Sequence, residues 1–188
     1  MRKLSTLILI AALIPTLQAC VPVIVGGVGA GISLANERRT SGIFVEDQSI
    51  ELKAQSRLGE KLKDAHINVT SYNLALLMTG EAPTTTQRAE AESIVQAIPN
   101  VRQVLNEVAI APVSSFSARS NDSFLTTKVK GHMVDANKFN IVHVKVVTEA
   151  SVVYLLGIVT RKEAEDATEI ARTTNGVTKV VRLFEYLD

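Results

Sequence analysis

The sequence has one cysteine in 188 residues, no tryptophan, only three histidines, and aromatic side chains at 4% of the total. A single cysteine excludes an internal disulfide and a thiolate metal cage. With so few aromatic rings, the core must rest on Val, Ile, Leu and Ala. An excess of charge of either sign is also missing: Lys and Arg number 20, Asp and Glu 19. Arg2 and Lys3 belong to a segment read below as removable, which leaves 18 basic side chains against those 19 acids. A chain near neutrality has no surplus with which to neutralise phosphates, so nucleic acid is not an expected partner. At 46% hydrophobic and 21% charged, the balance is that of a globular protein.

Catalytic and metal-binding patterns are missing too. No Gly-x-Ser-x-Gly elbow occurs. His66, His132 and His143 form no His-x-x-x-His or His-Glu-x-x-His pair, so neither a metal site nor a cofactor is expected. His143 alternates with Val142 and Val144 and reads as a strand residue. Glu163, Glu165, Asp166 and Glu169 lie among Arg161, Lys162 and Arg172 and read as a solvated, salt-bridged helix face. The chain is not expected to be an enzyme.

What is present begins at the N-terminus. Arg2 and Lys3 precede an apolar run from Leu4 to Leu17. The run is shorter than the roughly 20 residues that span a bilayer. It ends in Leu17-Gln18-Ala19-Cys20, which resembles the lipobox of bacterial lipoproteins. That resemblance implies cleavage before Cys20, a diacylglyceryl group on its sulfur and a further acyl chain, such as palmitate, on its amine. More than one chain makes anchoring stable, at about 0.8 kcal/mol per buried methylene. Val21 stands where lipoproteins retained at the inner membrane commonly have Asp, which points to the outer membrane, facing the periplasm. The competing reading is an uncleaved helical anchor, since apolar character continues to Leu34; Gly26, Gly27, Gly29 and Gly31 suit a helix interior poorly. The same glycines lack the spacing of a nucleotide-binding loop and read as a tether.

The remainder is one pattern written twice. Asp47, Ile50, Ala54 and Leu58 correspond to Asp122, Leu125, Val129 and Met133; Leu76-x-Met78-x-Gly80 corresponds to Val153-x-Leu155-x-Gly157. Each copy predicts a helix capped by Asp47 or Asp122, then a hairpin, a second helix and a third strand. The strands fall at 66–71, 74–80 and 101–110, then at 141–148, 152–160 and 177–187. The second helices fall at 84–97 and 161–174, with Gly176 as a left-handed stop. The fold class is therefore α+β: two tandem αββαβ domains, each with two helices on one face of a three-stranded mixed sheet. The expected division is 1–19 export signal, 20–45 lipidated cysteine and Gly-rich tether, 46–111 first domain, 112–121 linker and 122–188 second domain. Copies of about 65 residues are marginal alone, so the open sheet faces are expected to pack together.

The twin copies, each with Gly80 or Gly157 after its second strand, resemble the BON domain of periplasmic and outer-membrane proteins. Asn121 to Val129, Gly157 to Ala164 and Ile67 to Tyr72 carry the resemblance. It implies a non-enzymatic lipoprotein that binds anionic phospholipid such as phosphatidylglycerol or cardiolipin, concentrates at division sites and supports outer-membrane integrity. It also implies that the first helix of the second domain, here Phe124 to Val134, makes the lipid contact; a family member has Trp where this chain has Phe124. The candidate lipid-binding residues are Phe124, Thr127, Lys128, Lys130, Gly131 and Val134, with Cys20 as the lipidated residue. From the residues alone, Phe124 lies one step off the core stripe, over Ser49 of the first copy, with cations near it and no acid between Asp122 and Asp135. Packing of Phe124 between the domains is the alternative, as is a purely solvated role for Lys128, which lies over Lys53. A module docking on the β-barrel assembly machinery is the second functional expectation.

Overall fold

The structure is a computed structural model that describes residues 37–188. The export signal, Cys20 and the glycine-rich stretch lie outside the described residues.

Each copy forms the same layers. The first contains α1 (Ser41–Lys61), β1 (His66–Tyr72), β2 (Ala75–Ala82), α2 (Thr85–Gln96), β3 (Gln103–Asn106) and a short β4 (Ala109–Ile110). The second contains α3 (Phe116–Ala136), a 3-10 turn (Ile141–His143), β5 (Val144–Glu149), β6 (Val152–Val159), α4 (Arg161–Thr173) and β7 (Lys179–Tyr186). β1 runs antiparallel to β2, and β3 and β4 pair parallel to β2. The second sheet has the order β5-β6-β7, antiparallel and then parallel. The expected mixed α+β architecture is therefore present twice.

Both first helices begin earlier than their aspartates. Thr40 caps α1, its hydroxyl accepting from the Ile43 N–H, and Ser115 caps α3 in the same way through Ala118. α1 thus enters the segment read as tether, and α3 enters the one read as linker. Asp47 and Asp122 are buried one and a half turns inside. Their carboxylates accept from the backbone of the adjoining hairpin turn: Asp47 from Asn73 and Leu74, Asp122 from Ala150 and Ser151, each at 2.9 Å. All four turn residues have positive φ, between 48° and 65°. None of the four is glycine, which would adopt that conformation without strain, and the charge-assisted bonds hold it instead. The aspartates cap turns, not helices. Replacing Asp122 by Ala strands two N–H groups and should cost about 2–4 kcal/mol. A thermal melt reads this directly; a change below about 0.5 kcal/mol, the range of ordinary surface substitutions, would contradict the assignment.

The copies differ from expectation in two other places. The third strand of the first copy breaks between β3 and β4, where the Asn106 side chain accepts from the Val108 N–H and Val108 turns into the core. His143 belongs to the 3-10 turn, which starts where Asn140 accepts from the Val142 N–H. The paired glycines meet a steric need. A Cβ on Gly80 would lie 2.0 Å from the His66 carbonyl oxygen, and one on Gly157 would lie 2.4 Å from that of His143. Gly176 follows α4 with φ +105°, the stop expected of it.

Each domain has its own aliphatic core between helices and sheet. Ile50, Ala54, Leu76, Met78, Ala91 and Val95 form the first; Val129, Met133, Val153, Leu155, Ala164 and Ala167 form the second. The opposite sheet faces meet, burying apolar surface that a domain of about 65 residues cannot cover by itself. Tyr72 and Leu77 pack with Tyr154 and Leu156, flanked by Leu105, Val147, Val181 and Leu183. Burial pushes both phenols up to about 12, so they stay protonated. Polar contacts fence this seam: Lys145 pairs with Glu51 at 2.7 Å, and Glu185 accepts from Asn73 and pairs with Arg102. The segment entering α1 bridges it. Arg38 grips Glu163 and the Ile158 carbonyl of the second domain, while Arg39 pairs with Asp47 and lies 4.0 Å over the Tyr72 ring. The Arg38 guanidinium holds the Glu163 carboxyl down to about 2.

Candidate functional site

α3 buries Asp122, Leu125, Val129 and Met133, at the spacing of one helical face. This fixes the opposite face toward solvent. Phe124 is 67% exposed there, so packing between the domains is not its role. Val134 is 58% exposed, and Thr127 and Gly131 are exposed with them. At about 100° per residue, these four fall within an arc of roughly 80°. A Cβ on Gly131 would meet nothing, so the glycine leaves a gap in the helix surface without serving the packing.

Phe116 extends the patch. It is 79% exposed and lies 18 residues before Val134, five full turns, so the two share one side of the helix. The stripe is about 27 Å long. Sequence reasoning missed Phe116 because it began the helix at Asp122; the Ser115-Phe116 step was the available signal, a capping hydroxyl before a helix start. Lys128 and Lys130 flank the stripe on opposite sides. Lys128 is half-buried, and its ammonium donates to the Asn175 carbonyl at 2.9 Å, beside the end of α4. Lys130 is exposed, and among the described residues no ion pair occupies it. Asp135 is the one exposed acid of α3.

The first copy lacks this arrangement. α1 has the same length, and its positions matching Phe116, Phe124 and Val134 are Ser41, Ser49 and Gly59. It exposes Val45 and Leu52 instead, two turns apart, among Glu46, Glu51 and Glu60. The repeats share a fold, and they differ on the solvent-facing side of their first helices.

A second polar cluster lies where the domains meet. His66 and Glu81 are directly opposed across β1 and β2, with His66 Nδ1 at 3.2 Å from Glu81 Oε2. Asn68 and Thr79 form the next pair on that face, and both donate to Glu149 Oε2 of the second domain, at 2.9 and 3.1 Å. Burial pushes the Glu149 carboxyl above the usual range, against the Asn68 and Thr79 bonds that lower it. A carboxyl raised by folding favours the fold when protonated, so its ionisation toward neutral pH works against stability.

Two tandem α+β units joined sheet to sheet, each with a glycine at the strand crossing, define the class. The chain belongs to the BON-domain family, whose model matches residues 46–112 and 121–188. Outer membrane lipoprotein DolP of Haemophilus influenzae is 34% identical over 175 residues, covering 92% of this chain and 91% of that protein. A 21 kDa hemolysin of Actinobacillus pleuropneumoniae is 31% identical over 79% of this chain and 78% of its own length. Osmotically-inducible protein Y of Escherichia coli is 25% identical over 80% of this chain and 78% of its own length. None of these names denotes an enzyme.

Proposed function

We propose that the chain is an outer-membrane lipoprotein, held by acyl chains on Cys20 and facing the periplasm. Its second domain binds anionic phospholipid, phosphatidylglycerol or cardiolipin, through α3, and so maintains outer-membrane integrity at division sites. The exposed stripe of Phe116, Phe124 and Val134 carries this reading. Each ring that enters the acyl boundary contributes up to about 3 kcal/mol, and Lys130 beside an anionic surface about 1 kcal/mol. Thr127 and Gly131 let the helix lie close, while Lys128, drawn to Asn175, contributes charge from the rim. The likeness to a relative named outer membrane lipoprotein supports the address. Among the described residues no helix is long and apolar enough to cross a membrane, and the stripe suits lying on one.

Residues 37–188 labelled for NMR and titrated with phosphatidylglycerol bicelles should shift at Phe116, Phe124, Gly131 and Val134. Uncharged phosphatidylcholine should shift them far less, and raised salt should weaken the response. Shifts confined to α1, or none on α3, would refute the reading. Docking on envelope machinery such as the β-barrel assembly complex is a second reading, favoured by Val45 and Leu52 on α1, which the lipid contact leaves uncovered.

A further inference from the structure

We propose that His66, Glu81 and Glu149 form a divalent-cation site of the Zn²⁺ class that joins the two domains at their seam. One imidazole nitrogen and two carboxylates present ligand atoms that all lie within 4.8 Å of one another. Two ligands come from the first domain and one from the second. Glu81 is 7% exposed and Glu149 8%, so both carboxylates are largely withdrawn from water. Glu81 faces His66 and accepts from the Ser114 N–H, and among the described residues no Lys or Arg forms an ion pair with either carboxylate. Arg119 stands near, and its guanidinium donates to the Ser114 carbonyl. Two withdrawn carboxylates facing one imidazole leave negative charge uncompensated, a costly state unless a cation or a proton enters.

The geometry favours the metal ion. Both hydrogen bonds to Glu149 fall on Oε2, which leaves Oε1 without a donor among the described residues. Asn68 and Thr79 thereby orient the carboxylate as outer-shell groups do around a metal ligand. Ligands about 2.0–2.1 Å from a tetrahedral centre stand about 3.3 Å apart; His66 Nδ1 and Glu81 Oε2 already stand at 3.2 Å. With all ligand atoms within 4.8 Å of one another, Glu149 has to close by up to about 1.5 Å to reach that spacing. A cavity of about 350 Å³, lined by His66, Asn68, Arg119, Ser123, Thr126 and Glu149, adjoins the cluster. It supplies an entry path and room for water as fourth ligand. Mixed imidazole and carboxylate ligation suits Zn²⁺, whereas Mg²⁺ and Ca²⁺ prefer oxygen alone.

The test uses the full chain purified in detergent, stripped with a chelator and titrated calorimetrically with ZnCl₂ alone. One site per chain is expected, with thermal stability rising as zinc is added. Glu149→Gln keeps an acceptor for Asn68 and Thr79 and removes the buried charge, so it should fold at least as well as the parent and lose zinc affinity about 100-fold or more. His66→Asn should lose it likewise, while His132→Gln, outside the cluster, should not. No stoichiometric binding would overturn the proposal, as would binding that survives both Glu149→Gln and His66→Asn. A Glu149 carboxyl that stays protonated at neutral pH whether or not zinc is present would overturn it equally.

Discussion

Phe124→Asp should abolish binding of residues 37–188 to phosphatidylglycerol vesicles while leaving the thermal melt within about 0.5 kcal/mol of the parent. The two readouts separate because Phe124 is exposed on α3 and takes no part in the core formed by Leu125, Val129 and Met133. Losing the ring forfeits about 2 kcal/mol of insertion, and the new carboxylate adds about 1 kcal/mol of repulsion from an anionic surface. Together these amount to about 3 kcal/mol, or roughly a hundredfold in affinity. Phe116→Asp should weaken binding in the same direction, since the rings share one face. Ser49→Asp, at the matching position of the first copy, should leave it unchanged. Vesicle co-sedimentation across the three variants decides the matter: equal losses at Ser49 and Phe124 would make the effect one of net charge, not of α3.

The second large effect is expected at the seam. Leu156→Asp should separate the two domains and split one cooperative unfolding transition into two, or remove the second domain's fold altogether. Leu156 is buried against Tyr72, Leu77 and Tyr154. The substitution loses about 2–3 kcal/mol of apolar burial and places an unpaired carboxylate there, which costs several more. A domain of this size has only about 3–10 kcal/mol in total. Denaturant unfolding followed separately by NMR signals of each domain would report the split; a single unchanged transition would show that the sheets do not depend on each other. Because Glu149 reaches the first domain through Asn68 and Thr79, the same variant should disturb the polar cluster at the seam.

Local pattern carried most of the architecture. Apolar residues at helical spacing, alternating strands and the two recurring glycines determined two copies of one α+β fold, because helix and strand periods depend only on neighbours along the chain. The candidate stripe was legible at Phe124, Thr127, Gly131 and Val134 for the same reason: a residue off the buried face of a helix is exposed whatever packs beneath it. Phe116 was not, since the length of a helix is set by its cap, and Asp122 has the chemistry of a cap without the position of one. Its true partner, the hairpin turn at Ala150 and Ser151, is 28 residues distant and is brought near only by folding.

The sequence by itself therefore determined the repeat, the elements and the asymmetry between Ser49 and Phe124. Tertiary structure alone decided what the aspartates hold, how the sheets share Tyr72, Leu77, Tyr154 and Leu156, and that His66 and Glu81 meet Glu149. No spacing rule could show that last cluster, which the histidine pattern argued against. Its members stand 15 and 68 residues apart along the chain, and a ligand set drawn from two domains exists only once their sheets have closed.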